Sequence, residues 1–494
     1  MTAARLLAML ANAGVIPAGM TADSRRVSEG DVFAAWPGAT RDGRQFIGDA
    51  FARGAAAVLH EDGDGFCPPV SARPLVAVKG LRACAGELAD AIYHHPSRIL
   101  WLVGVTGTNG KTSISQWLAQ AIQTLGGRCG VIGTLGSGFP GELAASINTT
   151  PDVCELHREL ATFVRAGADA AAMEVSSIGI DQGRIDGVRF DVAIFTNLTR
   201  DHLDYHGTME AYGAAKARLF DLPGLDTAVI NADDDFGLEL ALKASRNMRV
   251  IAYGTSAARV AGFSGEVLLA EAVRARASGM RFTLSWAGQR REMDVRLVGH
   301  FNVSNLLATI GALLARGVAL DEALRATRAL TPPPGRMQLV GGESEPLVVI
   351  DYAHTPDALA KVLEAARVTA RARGGRLACV FGCGGERDVG KRPQMGEIAR
   401  RLADRVIVTS DNPRGENPRD IIDAILEGAG AEAEPVIERA EAIRCALARA
   451  DDNDVIVLAG KGHEPYQEIG GERRPFSDLE QTGVALAARR RVTA

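Results

Sequence analysis

Short apolar runs recur along this chain, each closed by a polar or glycine-rich segment and followed by residues whose hydrophobic positions return at helical spacing. Ile99–Val103 predicts a buried strand, and Ile114, Trp117, Leu118 and Ile122 behind it predict a helix. The same alternation continues with strands predicted at Cys129–Gly133, Asp169–Val175, Asp191–Thr196, Ala228–Asn231 and Arg249–Tyr253. Strands this continuously apolar are buried on both faces, which implies an α/β fold with a doubly wound, mostly parallel sheet and ligands at the carboxyl ends of its strands. Residues 265–298 alternate apolar and polar side chains, as in Met280-Arg281-Phe282-Thr283-Leu284, and predict an antiparallel addition to that sheet.

Pro332-Pro333-Pro334 reads as a linker. Beyond it, Leu347–Asp351, Arg376–Phe381, Arg405–Thr409 and Asp454–Leu458 predict a second, Rossmann-like α/β unit. Before Ile99 a small α/β pattern has strands predicted at Asp31–Ala35, Ala55–His60 and Leu75–Lys79. A chain of 494 residues is too long for one core. The expected division is three domains, 1–98, 99–334 and 335–494, the middle one carrying a P-loop.

Composition changes this picture little. A hydrophobic content of 47% with 23% charged residues is that of a globular enzyme. The net charge of −5 and the absence of a dense Lys/Arg block argue against a nucleic-acid partner, so anionic ligands must be held by local groups. The start, Arg5 to Ala13, imitates a signal peptide, but its leucines at helical spacing predict a first amphipathic helix. No window reaches the length of a membrane span. The 7 cysteines are scattered and lack zinc spacing, as in a reduced, cytoplasmic protein.

The chemistry centres on Gly104-Val105-Thr106-Gly107-Thr108-Asn109-Gly110-Lys111-Thr112-Ser113, where a strand gives way to a helix. Small residues let backbone N–H groups approach phosphate oxygens, Lys111 adds charge, and the Thr112 hydroxyl is placed to ligate magnesium. The strict G-x-x-x-x-G-K-[ST] spacing would need glycine at Val105, so the match is irregular.

Other polar clusters close the predicted strands. Glu174-Val175-Ser176-Ser177 ends one, and Glu174 with Thr112 could share a magnesium ion. Asn197 to Asp204 ends the next and contains His202, a candidate for a second metal, although a lone histidine after a strand is more often a packing or capping residue. Lys216 reads on spacing alone as a solvated helix lysine. The stretches Thr21 to Val27 and Gly38 to Gly43 are as compatible with surface turns as with a site.

Taken together, the loop 106–112, Met173 to Ser177, Asn197 to Asp204, Gly299 to Asn305 and Asp351 to Asp357 resemble the motifs of the Mur ligases, the ATP-dependent amide-forming enzymes of bacterial cell-wall synthesis. In that family the glycine stands at the position of Gly107, which accounts for the irregular spacing. The resemblance implies three domains, for a UDP-substrate, ATP and an incoming amino acid, that close over the reaction. It implies that Gly107, Thr108, Asn109, Gly110, Lys111, Thr112, Ser113, Asn302, Asn305 and Arg336 contact ATP. Ala22, Ser24, Ala39, Thr40, Arg41, Asn148, Thr149, Thr150, Ser176, Gln182 and Arg184 match positions that hold UDP-MurNAc-L-Ala-D-Glu. Lys111, Glu174, His202 and Lys216 match the catalytic set, with Thr112, Glu174, His202 and a carbamylated Lys216 around Mg2+. A carbamate replaces a repelled ammonium by a hard anionic ligand.

Asp411-Asn412-Pro413-Arg414 matches the segment that marks the members adding meso-diaminopimelate, and Arg387, Gly460 and Glu464 match their other contacts to it. The implied reaction phosphorylates the D-glutamate side-chain carboxylate and then lets the diaminopimelate amine displace phosphate. Arg414 offers a planar fork for the distal carboxylate, and Glu464 takes the distal ammonium. Left unpaired, Arg414 would cost about 2–4 kcal/mol, which predicts rejection of lysine by roughly 30- to 1000-fold. A monomer working on small-molecule substrates alone is expected. A folylpolyglutamate synthetase would share the loop, but Asp411–Arg414 and Asn148-Thr149-Thr150 speak against it; an inactive P-loop scaffold would not need Glu174, His202 and Lys216.

Overall fold

The computed structural model describes residues 1–38 and 41–493; Ala39 and Thr40, two of the expected UDP-substrate contacts, lie outside the described residues. The chain divides into two compact units, Met1–Leu268 with Leu307–Ala326, and Leu269–Leu306 with Thr327–Ala494.

The first unit holds two sheets. Gly19–Thr21, Asp31–Ala35, Ala57–Glu61 and Leu75–Val78 pair in parallel in that order. Leu6 and Leu10 of helix Ala3–Asn12 and Leu81 and Leu88 of helix Leu81–Ile92 join one apolar cluster over this sheet, while Ile47, Ala50 and Val58 belong to another. The larger sheet has a parallel centre in the order Cys129–Gly133, Ala170–Glu174, Trp101–Thr106, Val192–Phe195, Thr227–Asn231 and Arg249–Gly254. A hairpin, Gly136–Phe139 with Glu142–Ala144, adds antiparallel strands beside Cys129–Gly133.

The predicted strands are therefore present, with ends displaced by a few residues. Trp101–Thr106 starts later than expected because Ile99 and Leu100 leave the short helical turn Pro96–Arg98, and Ile99 is exposed. It also runs on through Gly104, where a Cβ would meet the Phe190 ring at 2.8 Å. Gly104 thus packs the sheet, and the phosphate loop proper begins at Gly107. Because Trp101–Thr106 lies between Ala170–Glu174 and Val192–Phe195, the carboxyl ends of three strands surround that loop.

In the second unit, Gly279–Trp286 and Gln289–Val295 form an antiparallel ladder, as their alternating pattern predicts. The other sheet is Rossmann-like: Leu347–Asp351, Val455–Ala459, Leu377–Phe381, Arg405–Val408 and Glu434–Pro435 are parallel, and Gln338–Gly341 pairs antiparallel at the edge. Helices Pro356–Arg373, Lys391–Leu402 and Pro418–Ala429 bury apolar residues against strand side chains such as Val349, Phe381 and Val457. Helices Arg439–Ala448 and Asp478–Thr493 contribute Ile443 and Leu486 to the cluster around Ile350 and Leu458. No helix among the described residues is long and apolar enough to cross a membrane.

Candidate functional site

The phosphate loop is held open by its neighbours. Gly107 has φ +141°, and a Cβ there would lie 1.8 Å from Thr196 Oγ1, so only glycine fits. Thr108 N donates to the Asn197 carbonyl at 2.8 Å, Asn109 N to Asn197 Oδ1 at 3.0 Å, and Thr196 Oγ1 to the Asn109 carbonyl at 2.6 Å. The Thr108 hydroxyl bonds the Thr199 carbonyl at 3.1 Å and sits 3.2 Å from the Tyr212 hydroxyl. Gly110, at φ 91°, opens helix Lys111–Thr124, whose N-terminus stands at the end of the loop. Lys111 Nζ donates to the carbonyls of Gly107 and Thr108 at 2.8 and 2.9 Å. Thr112 and Ser113 are buried in the first turn of that helix.

Glu174 ends the adjacent strand and is buried. Its carboxylate accepts from Thr134 N at 2.8 Å and from Thr134 Oγ1 at 3.1 Å. A Cβ at Gly133 would meet Glu174 Oε1 at 2.2 Å, so the glycine makes room for this carboxylate. Lys216, on helix Met209–Ala217, is 1% exposed. It is therefore no solvated helix lysine: Nζ donates to the Gly107 carbonyl at 3.0 Å and lies 4.3 Å from the centre of the Tyr212 ring. Burial, reinforced by the nearby Lys111 ammonium, pushes its pKa well below that of an ordinary lysine. His202 adopts φ 51° and stays half exposed, its Nε2 3.6 Å from Asp201 Oδ2.

Among the described residues no cluster of three or more His, Cys, Asp or Glu could hold a metal by itself. The hard oxygens of Thr112 and Glu174 beside a phosphate loop still fit magnesium, which takes one or two protein oxygens and completes its shell with phosphate and water. Lys216 as an ammonium does not fit the metal shell.

The expected UDP-substrate residues fall into groups. Asn148 lines a cleft of about 900 Å3 together with Arg25, Arg26, Glu155, Arg158 and Glu159. Burial pushes the Glu159 carboxyl up to about 7. Thr149 Oγ1 lies 3.1 Å from Thr134 Oγ1. Thr150 Oγ1 donates to the Glu174 carbonyl at 3.0 Å and contacts Ser176 Oγ at 3.0 Å. Arg184 donates to Gln182 Oε1 at 2.7 and 3.0 Å and to the Thr150 carbonyl at 2.8 Å, so these five residues from Thr149 to Arg184 form one linked group with Glu174. Ala22 precedes the short helical turn Ser24–Arg26, which Asp23 caps and in which Ser24 is buried; Arg41 is exposed, its carbonyl accepting from Gly38 N–H at 2.8 Å.

The second unit has its own cluster at strand carboxyl ends. Arg414 adopts φ 52°, its N–H donates to the Glu468 carbonyl at 2.9 Å, and its Nη1 donates to the Gly385 carbonyl at 2.6 Å. Its Nε lies 3.8 Å from Glu468 Oε2. Arg414 is thus partly paired without a ligand, which lowers the penalty expected for an unfilled site. Asn412 Nδ2 donates to Glu464 Oε2 at 2.8 Å. Gly460, at φ +112°, would drive a Cβ to 2.3 Å from Asp411 Oδ2. Burial raises the Asp411 pKa. Pro413 is buried beside it, whereas Arg387 is exposed, its Cγ 3.8 Å from where a Gly384 Cβ would stand.

The Arg336 guanidinium lies 5.1 Å from the centre of the Tyr352 ring, and its buried Nε has no hydrogen-bond partner among the described residues. Asn302 Nδ2 donates to the Val298 carbonyl at 2.8 Å, and Asn305 Nδ2 contacts Asn302 Oδ1 at 3.3 Å.

Several participants were not singled out by sequence. Thr134, Thr196 and Tyr212 carry no motif signature; only their place at strand or helix ends beside the loop identifies them. Lys461 stands between Gly460 and Gly462 at a strand end, and its burial carries no sequence signal. It is 0% exposed and donates to Asn412 Oδ1 at 3.0 Å and Glu464 Oε2 at 3.1 Å. Glu464 therefore already has a cationic partner.

A phosphate loop on a doubly wound sheet, fringed by a buried carboxylate and a buried lysine, defines the class as a nucleotide-dependent phosphoryl-transfer enzyme. Three family models match: "Mur ligase family, catalytic domain" over residues 18–93, "Mur ligase middle domain" over 105–313, and "Mur ligase, glutamate ligase domain" over 335–462. The chain belongs to the Mur ligase family. It is 52% identical over 478 residues to UDP-N-acetylmuramoyl-L-alanyl-D-glutamate--2,6-diaminopimelate ligase of Pseudomonas putida, covering 95% of each chain. It is 53% identical to the enzyme of that name from Pseudomonas syringae pv. tomato, again over 95% of each. A solved structure of a ligase with the same name superposes with a TM-score of 0.72 at 36% identity, covering 96% of this chain and 95% of that one.

Proposed function

We propose that this protein is the ATP-dependent ligase that joins meso-diaminopimelate to the D-glutamate of UDP-MurNAc-L-Ala-D-Glu, forming an amide, ADP and phosphate. The carrying observation is the near-full-length identity of about half to ligases of that name. The domain division 1–98, 99–334 and 335–494 is part of this reading.

In this reading the loop N–H groups and Lys111 grip the ATP phosphates, and Thr112 and Glu174 hold magnesium, which neutralises phosphate charge when bound. Thr149, Thr150, Ser176, Gln182 and Arg184 orient the UDP-substrate so that its glutamate carboxylate meets the γ-phosphate. Phosphoryl transfer breaks the bond to the β-phosphate oxygen and converts a poor electrophile into an acyl phosphate. The neutral amine of diaminopimelate then adds to the acyl carbon, and the tetrahedral intermediate expels phosphate as the nitrogen loses its proton. Lys216 serves as a carbamate, and its depressed pKa supports this because carbon dioxide reacts with the neutral amine; His202 is a second metal ligand in this reading. Arg414 and Arg387 receive the distal carboxylate, while Asp411, Asn412, Gly460 and Glu464 shape the rest of the pocket.

Incubation with ATP, magnesium and both substrates should yield one UDP-linked product heavier than its precursor by diaminopimelate less water, read by mass spectrometry. A product carrying any other residue, or none, overturns the reading.

A further inference from the structure

His157 belongs to no motif, yet it is 0% exposed at the meeting of three segments. It lies on helix Val153–Arg165, which follows directly from Thr149-Thr150 and is capped by Asp152. Its Nε2 donates to the Asp186 carbonyl at 3.0 Å. A carbonyl can only accept, so Nε2 carries the proton. Burial lowers the pKa of the ring and favours this neutral form. Nδ1 faces Asp90 Oδ1 of helix Leu81–Ile92 at 3.7 Å and has no hydrogen-bond partner among the described residues, which leaves the bond to Asp186 as the one the ring makes with them.

Asp186 lies in the segment that begins with Gln182 and Arg184. That segment is pressed onto helix Leu81–Ile92. A Cβ at Gly187 would lie 2.5 Å from the Gly86 carbonyl oxygen, and one at Gly86 would lie 2.2 Å from that of Asp186. Arg82 Nη2 also donates to the Gln182 carbonyl, at 3.3 Å. Arg184 reaches back to the Thr150 carbonyl at 2.8 Å. The chain leading into helix Val153–Arg165 and the helix itself therefore meet the segment at two points, Thr150 three residues before the helix begins and His157 one turn in.

We infer that His157 is a positioning residue for the UDP-substrate: its bond to the Asp186 carbonyl sets where Gln182 and Arg184 stand relative to Thr149-Thr150. The inference rests on the proposed role of those four residues. It makes His157 matter to one substrate only. Loss of the donor lets the segment drift, which weakens grip on the UDP-substrate while leaving the phosphate loop and the diaminopimelate cluster untouched.

The test is steady-state kinetics of the full-length enzyme with each substrate varied in turn. His157→Phe keeps a buried ring without a donor. Its KM for UDP-MurNAc-L-Ala-D-Glu should rise about 10-fold, the scale of one buried hydrogen bond, with KM for ATP and diaminopimelate and kcat within about twofold. His157→Gln, whose terminal amide reaches as far as Nε2, should restore the parent KM, and the shorter His157→Asn should not. Should His157→Phe fail to fold, the contrast between the Gln and Asn variants reads the same bond. An unchanged UDP-substrate KM in Phe and Asn, or equal loss in all three KM values and in melting temperature, overturns the inference. A parent enzyme inactive on UDP-MurNAc-L-Ala-D-Glu would instead overturn the functional reading on which it rests.

Discussion

Lys216 and Lys111 share one acceptor: the Gly107 carbonyl oxygen receives Lys216 Nζ at 3.0 Å and Lys111 Nζ at 2.8 Å. Two ammonium groups on one neutral oxygen repel, and burial together with the neighbouring Lys111 charge pushes the Lys216 pKa down. Its folded-state pKa lies below the usual lysine value, so the neutral amine fraction grows as pH rises toward and past that lowered pKa. Enzyme equilibrated with 13C-bicarbonate should show a carbamate carbonyl resonance that strengthens with pH and is absent in Lys216→Met. That variant should fold normally and lose at least about 100-fold in kcat. A fully active Lys216→Met would remove the lysine from the mechanism.

Gly107→Ala tests the loop. The new methyl would overlap Thr196 Oγ1 in a backbone conformation with φ +141°, so the loop must move. We expect nucleotide affinity to fall by at least about 10-fold, measured by calorimetric titration with ADP, with little change in melting temperature because the loop lies at the surface end of the sheet. Parent-like ADP affinity would show that the loop tolerates the shift and that its geometry does not hold phosphate.

Arg414 is less exposed to an empty site than sequence implied, because the Gly385 carbonyl and Glu468 already engage it. Lysine should therefore be discriminated against by about 1–2 kcal/mol, roughly 5- to 30-fold in kcat/KM, below the range expected for an unpaired cation. Arg414→Ala should raise the diaminopimelate KM by a similar factor and abolish that preference. Retained preference would place the selecting group elsewhere.

Glu159 gives a pH signature of stability. Burial raises its carboxyl from 4.5 to about 7, against the hydrogen bond donated by Ser137 and with a further push from Glu155. The folded state thus holds a proton that the unfolded chain has lost between those values, and stability falls as pH rises through that window. Glu159→Gln removes the penalty. Thermal unfolding near pH 8 should show the variant more stable by on the order of 2 kcal/mol, whereas near pH 4 the two proteins should match. Equal melting temperatures at both pH values would contradict the shifted carboxyl.

The parallel strands were legible because each is a continuous apolar run, and Leu347–Asp351 and Cys129–Gly133 keep the bounds their pattern predicts. The hairpins Gly136–Ala144 and Tyr466–Pro475 were not, since glycines and exposed charged residues there carry no apolar period. The phosphate loop was legible as a motif. The sequence does not reveal the roles of Lys216 and Lys461, because burial of a lysine depends on what the fold stacks around it: the Tyr212 ring in one case, Asn412 and Glu464 in the other. His157 left no trace in sequence because its partner is a backbone carbonyl.

In the proposed reaction the enzyme consumes ATP only when a UDP-linked glutamate carboxylate and diaminopimelate are both present. Phosphate release by the full-length enzyme, followed continuously with each substrate omitted in turn, tests it directly. Release should be sustained with UDP-MurNAc-L-Ala-D-Glu and meso-diaminopimelate together and fall to background when either is left out. Steady ATP hydrolysis indifferent to both would contradict it.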